Sequence, residues 1–77
     1  MNIEHLVNMV NDIAAFFHSE PDHAVAVDSI AMHLRRFWEP RMRRQIIAHA
    51  EAGGHGLVEL GREGVEELAR MQKKEVA

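Results

Sequence analysis

The sequence has 77 residues, no Cys and a formal net charge of −3. One domain is therefore the upper limit, and disulfides, thiolate nucleophiles, zinc ribbons and ordinary iron–sulfur ligation are excluded. A chain this short buries only about 60–65% of its unfolded surface, so a core and a deep, water-excluding substrate pocket compete for the same few residues. The charge is segregated: residues 1–34 carry five acids and no Lys or Arg, residues 35–44 carry five Arg against Glu39, and residues 45–77 carry six acids and four bases.

The first helix is predicted from about Asn2 to His18. Ile3, Leu6, Val7, Val10, Ile13, Ala14 and Phe17 recur at spacings of three and four, which makes a broad apolar stripe of helical period. Met9 and Phe16 lie off that stripe and form a smaller second strip. The same stretch opens without Lys or Arg, so it does not read as a secretory signal.

Ser19-Glu20-Pro21-Asp22 reads as a break followed by a start. Ser19 and Asp22 have capping-box spacing, and Pro21 suits the first turn of a helix. The second helix is then predicted from about Pro21 to Trp38, with Val27, Ile30, Ala31, Leu34, Phe37 and Trp38 on one face. Val25 and Met32 point nearly the opposite way.

Pro40 ends that helix, because it disfavours helical geometry at Glu39, and it can open the next one. The third helix is predicted from about Pro40 to Ala52, with Met42, Ile46, His49 and Ala50 as its apolar edge, Ile47 beside it, and Arg41 and Arg44 on the other side. Gly53-Gly54 stops it, one of the two in left-handed geometry. His55–Leu60 reads as a loop or short turn. A weaker fourth helix follows from about Gly61 to Lys74 on a narrow stripe of Val65, Leu68, Ala69 and Met71, and Gly61 and Gly64 weaken it by about 1 kcal/mol each relative to Ala. Nothing alternates with period two. The expected fold is one all-α domain over residues 1–77, a small helical bundle of three main helices plus a weaker C-terminal helix. No apolar run approaches the roughly 18–20 residues that span a bilayer, so a soluble, intracellular protein without a membrane partner is expected.

Chemistry is scarce. His5, His18, His23, His33, His49 and His55 do not pair at the i, i+4 spacing that aims two imidazoles at one ion, and nothing local supplies the converging donors that zinc needs. Ser19 and Ser29 are the only hydroxyl side chains, which leaves a nucleophilic site without support. Gly53-Gly54-His55-Gly56 lacks the Lys-Ser/Thr ending and the preceding strand of a phosphate loop.

The most specific feature is the helix corner at Trp38-Glu39-Pro40. Its bland reading is a hairpin whose Phe37 and Trp38 fill the core while the Arg side chains face water. Its functional reading keeps Phe37 in the core and makes the Arg cluster a docking surface, since five unneutralised Arg repel one another and a partner's carboxylates would relieve them. Arg and Trp are also enriched at binding hot spots. The surplus apolar residues Met9, Phe16, Val25 and Met32 suggest a second contact surface, covered by the fourth helix, by a homo-oligomer of the isolated chain or by another protein.

The run Ile30-Ala31-Met32-His33-Leu34-Arg35-Arg36-Phe37-Trp38-Glu39-Pro40-Arg41-Met42-Arg43-Arg44-Gln45-Ile46-Ile47 resembles the signature of formate dehydrogenase delta subunits, and His49, Gly53-Gly54 and Gly56-Leu57 continue the likeness. Leu6–Ile13 with Phe16-Phe17 resembles that family's first helix. The resemblance covers about residues 3–57, and its specific part is the octet Arg36–Arg43. It implies a non-catalytic accessory subunit of a soluble, cytoplasmic, molybdenum- or tungsten-dependent NAD formate dehydrogenase, supporting assembly, the cofactor-loaded state or stability of the catalytic alpha subunit. No cofactor is expected in this chain. The alpha subunit of such complexes holds bis-molybdopterin guanine dinucleotide and iron–sulfur clusters, and the beta and gamma subunits carry flavin mononucleotide and further clusters. On this reading Arg36, Phe37, Trp38, Pro40, Arg41, Met42 and Arg43 dock on the alpha subunit: Phe37 and Pro40 set the corner, Trp38 and Met42 pack, and the Arg residues pair with the partner's acids or carbonyls. The alternative is a small helical nucleic-acid-binding or regulatory protein using the Arg35–Arg44 patch, which predicts salt-sensitive DNA or RNA binding. Acidity elsewhere argues against nucleic acid as a partner.

Overall fold

The computed structural model describes residues 2–76. Four helices follow one another: α1 (Ile3–Phe17), α2 (His23–Phe37), α3 (Pro40–Glu51) and α4 (Glu59–Val76), with no strand among the described residues. Each begins or ends for a local reason. Asn2 caps α1 by accepting the Glu4 amide at 2.8 Å. The second helix starts two residues later than its Pro suggests, because Asp22 rather than Ser19 is the cap: its carboxylate accepts the amides of Ala24 and Val25 at 3.0 and 3.4 Å. Such a cap satisfies donors that have no partner inside the helix. Pro21 therefore lies ahead of the cap and not in the first turn.

Pro40 occupies the opening position of α3, with Glu39 extended before it. The far end of α3 closes as the Gly pair predicts. The Gly53 amide donates to the Ala50 carbonyl at 3.2 Å and the Gly54 amide to the His49 carbonyl at 2.9 Å, the two bonds of a Schellman termination. Both glycines have positive φ.

The fourth helix starts two residues before the predicted position and is the longest of the four, where its narrow stripe had marked it as the weakest. Its packing explains this. Gly61 and Gly64 are buried. A Cβ on Gly64 would stand 2.4 Å from Cγ2 of Ile30, and one on Gly61 3.0 Å from Cγ1 of Val10. The missing side chains let α4 lie against α2 and α1 at backbone distance, so the intrinsic propensity lost at each glycine is offset by closer burial of its neighbours. The α2–α4 seam is the most extensive helix contact in the molecule. The two helices run parallel: His23 pairs with Glu63 at one end and Arg35 with Glu75 at the other, each pair forty residues apart.

The core draws on all four helices. Leu6, Val10, Ile30, Leu34, Ile46, Val65 and Leu68 are fully buried, and Trp38 joins them. Met9 packs on this cluster from its edge, which uses part of the surplus apolar surface of α1. Phe16 and Val25 stay exposed.

Candidate functional site

The corner between α2 and α3 is built from the residues of the specific octet, and they divide into two sets. Trp38 leaves the helix with an extended backbone, turns inward and is 5% exposed. Phe37, the last helical residue, is 72% exposed. This corrects the expectation that Phe37 fills the core. It sits two residues past the Arg35–Glu75 pair, where α2 gives way to the turn, and the inward swing of the next residue places the indole, not the phenyl ring, against the core. The Phe37 ring stands against His33, at 4.9 Å between ring centres. Met42 is half-buried against the core, while Pro40 is exposed at the bend.

The arginines divide in the same way. Arg43 reaches back across the corner, and its Nη1 donates to the carbonyls of Arg35 at 2.7 Å and Trp38 at 3.1 Å. These are among the terminal carbonyls of α2 that have no helical donor. Arg43 thus holds its own chain's corner, with its Nε buried and unpaired, whereas sequence reasoning placed its donors on a partner. Arg35 pairs with Glu75 at 2.5 Å. Arg36, Arg41 and Arg44 are exposed, and none makes an ion pair or side-chain hydrogen bond among the described residues. Arg41 and Arg44 also sit in the first turns of α3, beside the positive end of its dipole, an arrangement that is mildly unfavourable within the fold.

The corner therefore exposes an aromatic ring at the end of α2 and, at Arg36, Arg41 and Arg44, three guanidinium groups without an ion pair among the described residues, while Arg43 and Trp38 lock the bend. It has no nucleophile and no converging set of donors. No group of three or more His, Cys, Asp or Glu able to hold a metal ion occurs among the described residues.

Two features escaped the sequence reading. Asn11 of α1 clamps the loop before α4: its Nδ2 donates to the Gly56 carbonyl and its Oδ1 accepts the Val58 amide, both at 2.9 Å. His49 adds a bond from its ring Nε2 to the His55 carbonyl at 2.8 Å. An Asn on a helix gives no signal of such a role, since its partners lie 45 and 47 residues away. The second is an open groove of about 740 Å³ between the last turns of α1 and the first turns of α2 and α4. Acidic side chains stand along it, Glu63 with His23 at 2.6 Å and Glu59 with Arg62. Hydrogen bonding and charge from Glu59, and then the charge of Glu66, hold the Arg62 proton more tightly than usual.

No helix among the described residues is long and apolar enough to cross a membrane. Residues 5–65 match the model of a family described as the NADH-dependent formate dehydrogenase delta subunit FdsD. No curated protein and no solved structure matches the chain.

Proposed function

The chain belongs to the NADH-dependent formate dehydrogenase delta subunit family, and from this premise we propose that it acts as a non-catalytic accessory subunit of a cytoplasmic molybdenum- or tungsten-dependent enzyme, docking on the catalytic alpha subunit through the α2–α3 corner. Its role is to support assembly, the cofactor-loaded state or stability of that subunit within the complex it forms with beta and gamma subunits. The bis-molybdopterin guanine dinucleotide, the iron–sulfur clusters and the flavin mononucleotide belong to those partners.

One observation carries the reading. Arg36, Arg41 and Arg44 are exposed on the same α2–α3 corner as the exposed Phe37, and none makes an ion pair among the described residues. Planar guanidinium groups beside an aromatic ring suit a protein surface of carboxylates and carbonyls with an apolar recess. The patch divides the octet's labour: Arg36, Phe37 and Arg41 would touch the partner, and Trp38, Met42 and Arg43 would keep the corner in shape.

The test is an Arg36→Glu, Arg41→Glu double variant of the tagged chain. It should keep its helical circular dichroism and lose co-purification with the alpha subunit. Retention of the alpha subunit at moderate salt would show that the patch lies elsewhere.

A further inference from the structure

The groove lies at the end of α2 opposite the corner. Ala14 and Ala15 of α1 and Ala26 of α2 line it with small apolar residues, and Val58 adds a half-exposed apolar wall. Glu20, Glu59 and Glu63 line it as well. It is thus a recess that is apolar inside and acidic in its charged residues. The corner at the other end exposes the Phe37 ring and the side chains of Arg36, Arg41 and Arg44. The two surfaces are complementary in shape class and in sign of charge.

We propose that the groove receives the Phe37 corner of a second copy of this chain. Phe37 enters among the alanines, and the arginines meet Glu20, Glu59 and Glu63. One chain cannot make this contact with itself. His23, which lines the groove, and Phe37 stand at opposite ends of a rigid helix, which at 1.5 Å per residue puts them about 21 Å apart. The carboxylates are available for exchange. Glu63 now shares its charge with His23 and Glu59 with Arg62, and these pairs are solvent-exposed. Exposed pairs contribute little to the fold, so replacing them with intermolecular ones loses little. A corner-to-groove contact joins different surfaces of the two copies, so it closes as a reciprocal pair or continues as a chain. It also covers the corner, so a free subunit that self-associates keeps its exposed ring out of water until another protein displaces the second copy. Self-association needs only the chain itself and does not depend on where the alpha subunit docks.

Sedimentation of the purified chain tests it. At low salt the weight-average mass should rise with concentration to at least twice that of a single chain. It should fall back in about 1 M salt, where screening shortens the reach of charge to about 3 Å. Two variants separate the halves of the contact: Phe37→Asp removes the inserted ring, and Ala15→Arg blocks the groove. Both residues are exposed, so helical circular dichroism should be unchanged; Arg36→Glu replaces Phe37→Asp if that variant loses helicity. Each variant alone should remain monomeric, and an equimolar mixture should form a heterodimer, because each contributes the half the other lacks. A monomeric wild-type chain at every concentration, self-association of either variant at the wild-type level, association undiminished by salt, or a mixture that stays monomeric would each overturn the proposal.

Discussion

The α2–α4 seam and the α2–α3 corner share a helix and are built on opposite rules. The seam is made by removing chemistry. Gly64 withdraws its side chain so that Ile30 can approach the α4 backbone, as Gly61 does for Val10 of α1, and the ion pairs at the seam's two ends are exposed. The corner is made by adding chemistry that the fold does not use. Three arginines without an ion pair among the described residues and a largely exposed phenyl ring remain there, while the two residues that complete the bend, Trp38 and Arg43, are turned inward. A surface meant for the chain itself is therefore closed and quiet in charge. The corner instead keeps exposed charge and exposed apolar area, as a docking surface would. The difference lies in whether a residue's demands are met within the chain, not in how conspicuous the residue is.

The largest break in that comparison is expected at the corner's inward half. Trp38→Ala removes a side chain that is 5% exposed from the cluster of Leu6, Ile30 and Ile46. Truncations of this kind destabilise by about 3–5 kcal/mol. For a small domain this is a large fraction of total stability, so urea denaturation of the isolated chain should show a transition shifted far toward zero denaturant or no folded baseline. A midpoint near wild type would mean that the indole is not part of the core. The seam should break next. Gly64→Ala gains about 1 kcal/mol of helix propensity, yet its Cβ would lie 2.4 Å from Cγ2 and 2.8 Å from Cβ of Ile30. Both atoms are at the base of a buried side chain, so the helices must separate and Ile30 cannot simply rotate away. Overpacking of this severity typically exceeds the gain, and a net loss of roughly 2 kcal/mol is expected in the same denaturation measurement. A stabilised Gly64→Ala variant would restore the reading of these glycines as mere weak points.

The sequence made the helices legible and left their relations obscure. The stripes of α1, α2 and α3 gave their positions to within two residues, since periodicity, Pro40 and Gly53-Gly54 act locally. The importance of α4 was hidden because its packing rests on Gly61 and Gly64, where the informative feature is the absence of a side chain, and propensity reads a glycine only as a weakness. Phe37 was misplaced for a related reason. Its phase on α2 is the same as that of Ile30 and Leu34, but phase does not reveal where a neighbouring helix stops giving cover. The candidate site was half visible: the octet stood out by composition, whereas the division between Arg43, which bonds the corner's carbonyls, and Arg36, Arg41 and Arg44, whose side chains bond nothing among the described residues, depends on distances across the bend. The groove was invisible, because its walls come from three helices and its alanines carry no signal of their own.

That division can be sharpened by a smaller effect. Arg43→Met keeps the length and apolar stem of the side chain and removes the guanidinium. Two carbonyls then lose a charged donor. Hydrogen bonds to charged groups contribute about 1.5–3 kcal/mol, but the Arg35 carbonyl's bond is exposed and water can take over there, leaving the part-buried Trp38 carbonyl as the main loss. The substitution also removes the buried Nε that has no partner, which recovers part of the difference. A net destabilisation of about 1 kcal/mol is therefore expected, below that of Gly64→Ala. Binding should respond in the opposite order. If Arg43 serves the bend and Arg36 and Arg41 serve the partner, Arg43→Met should retain the alpha subunit in co-purification once the variant is held below its unfolding midpoint, while the Arg36→Glu, Arg41→Glu variant loses it with stability intact. Loss of the partner by Arg43→Met, with an unfolding midpoint equal to that of wild type, would move Arg43 from the fold to the interface.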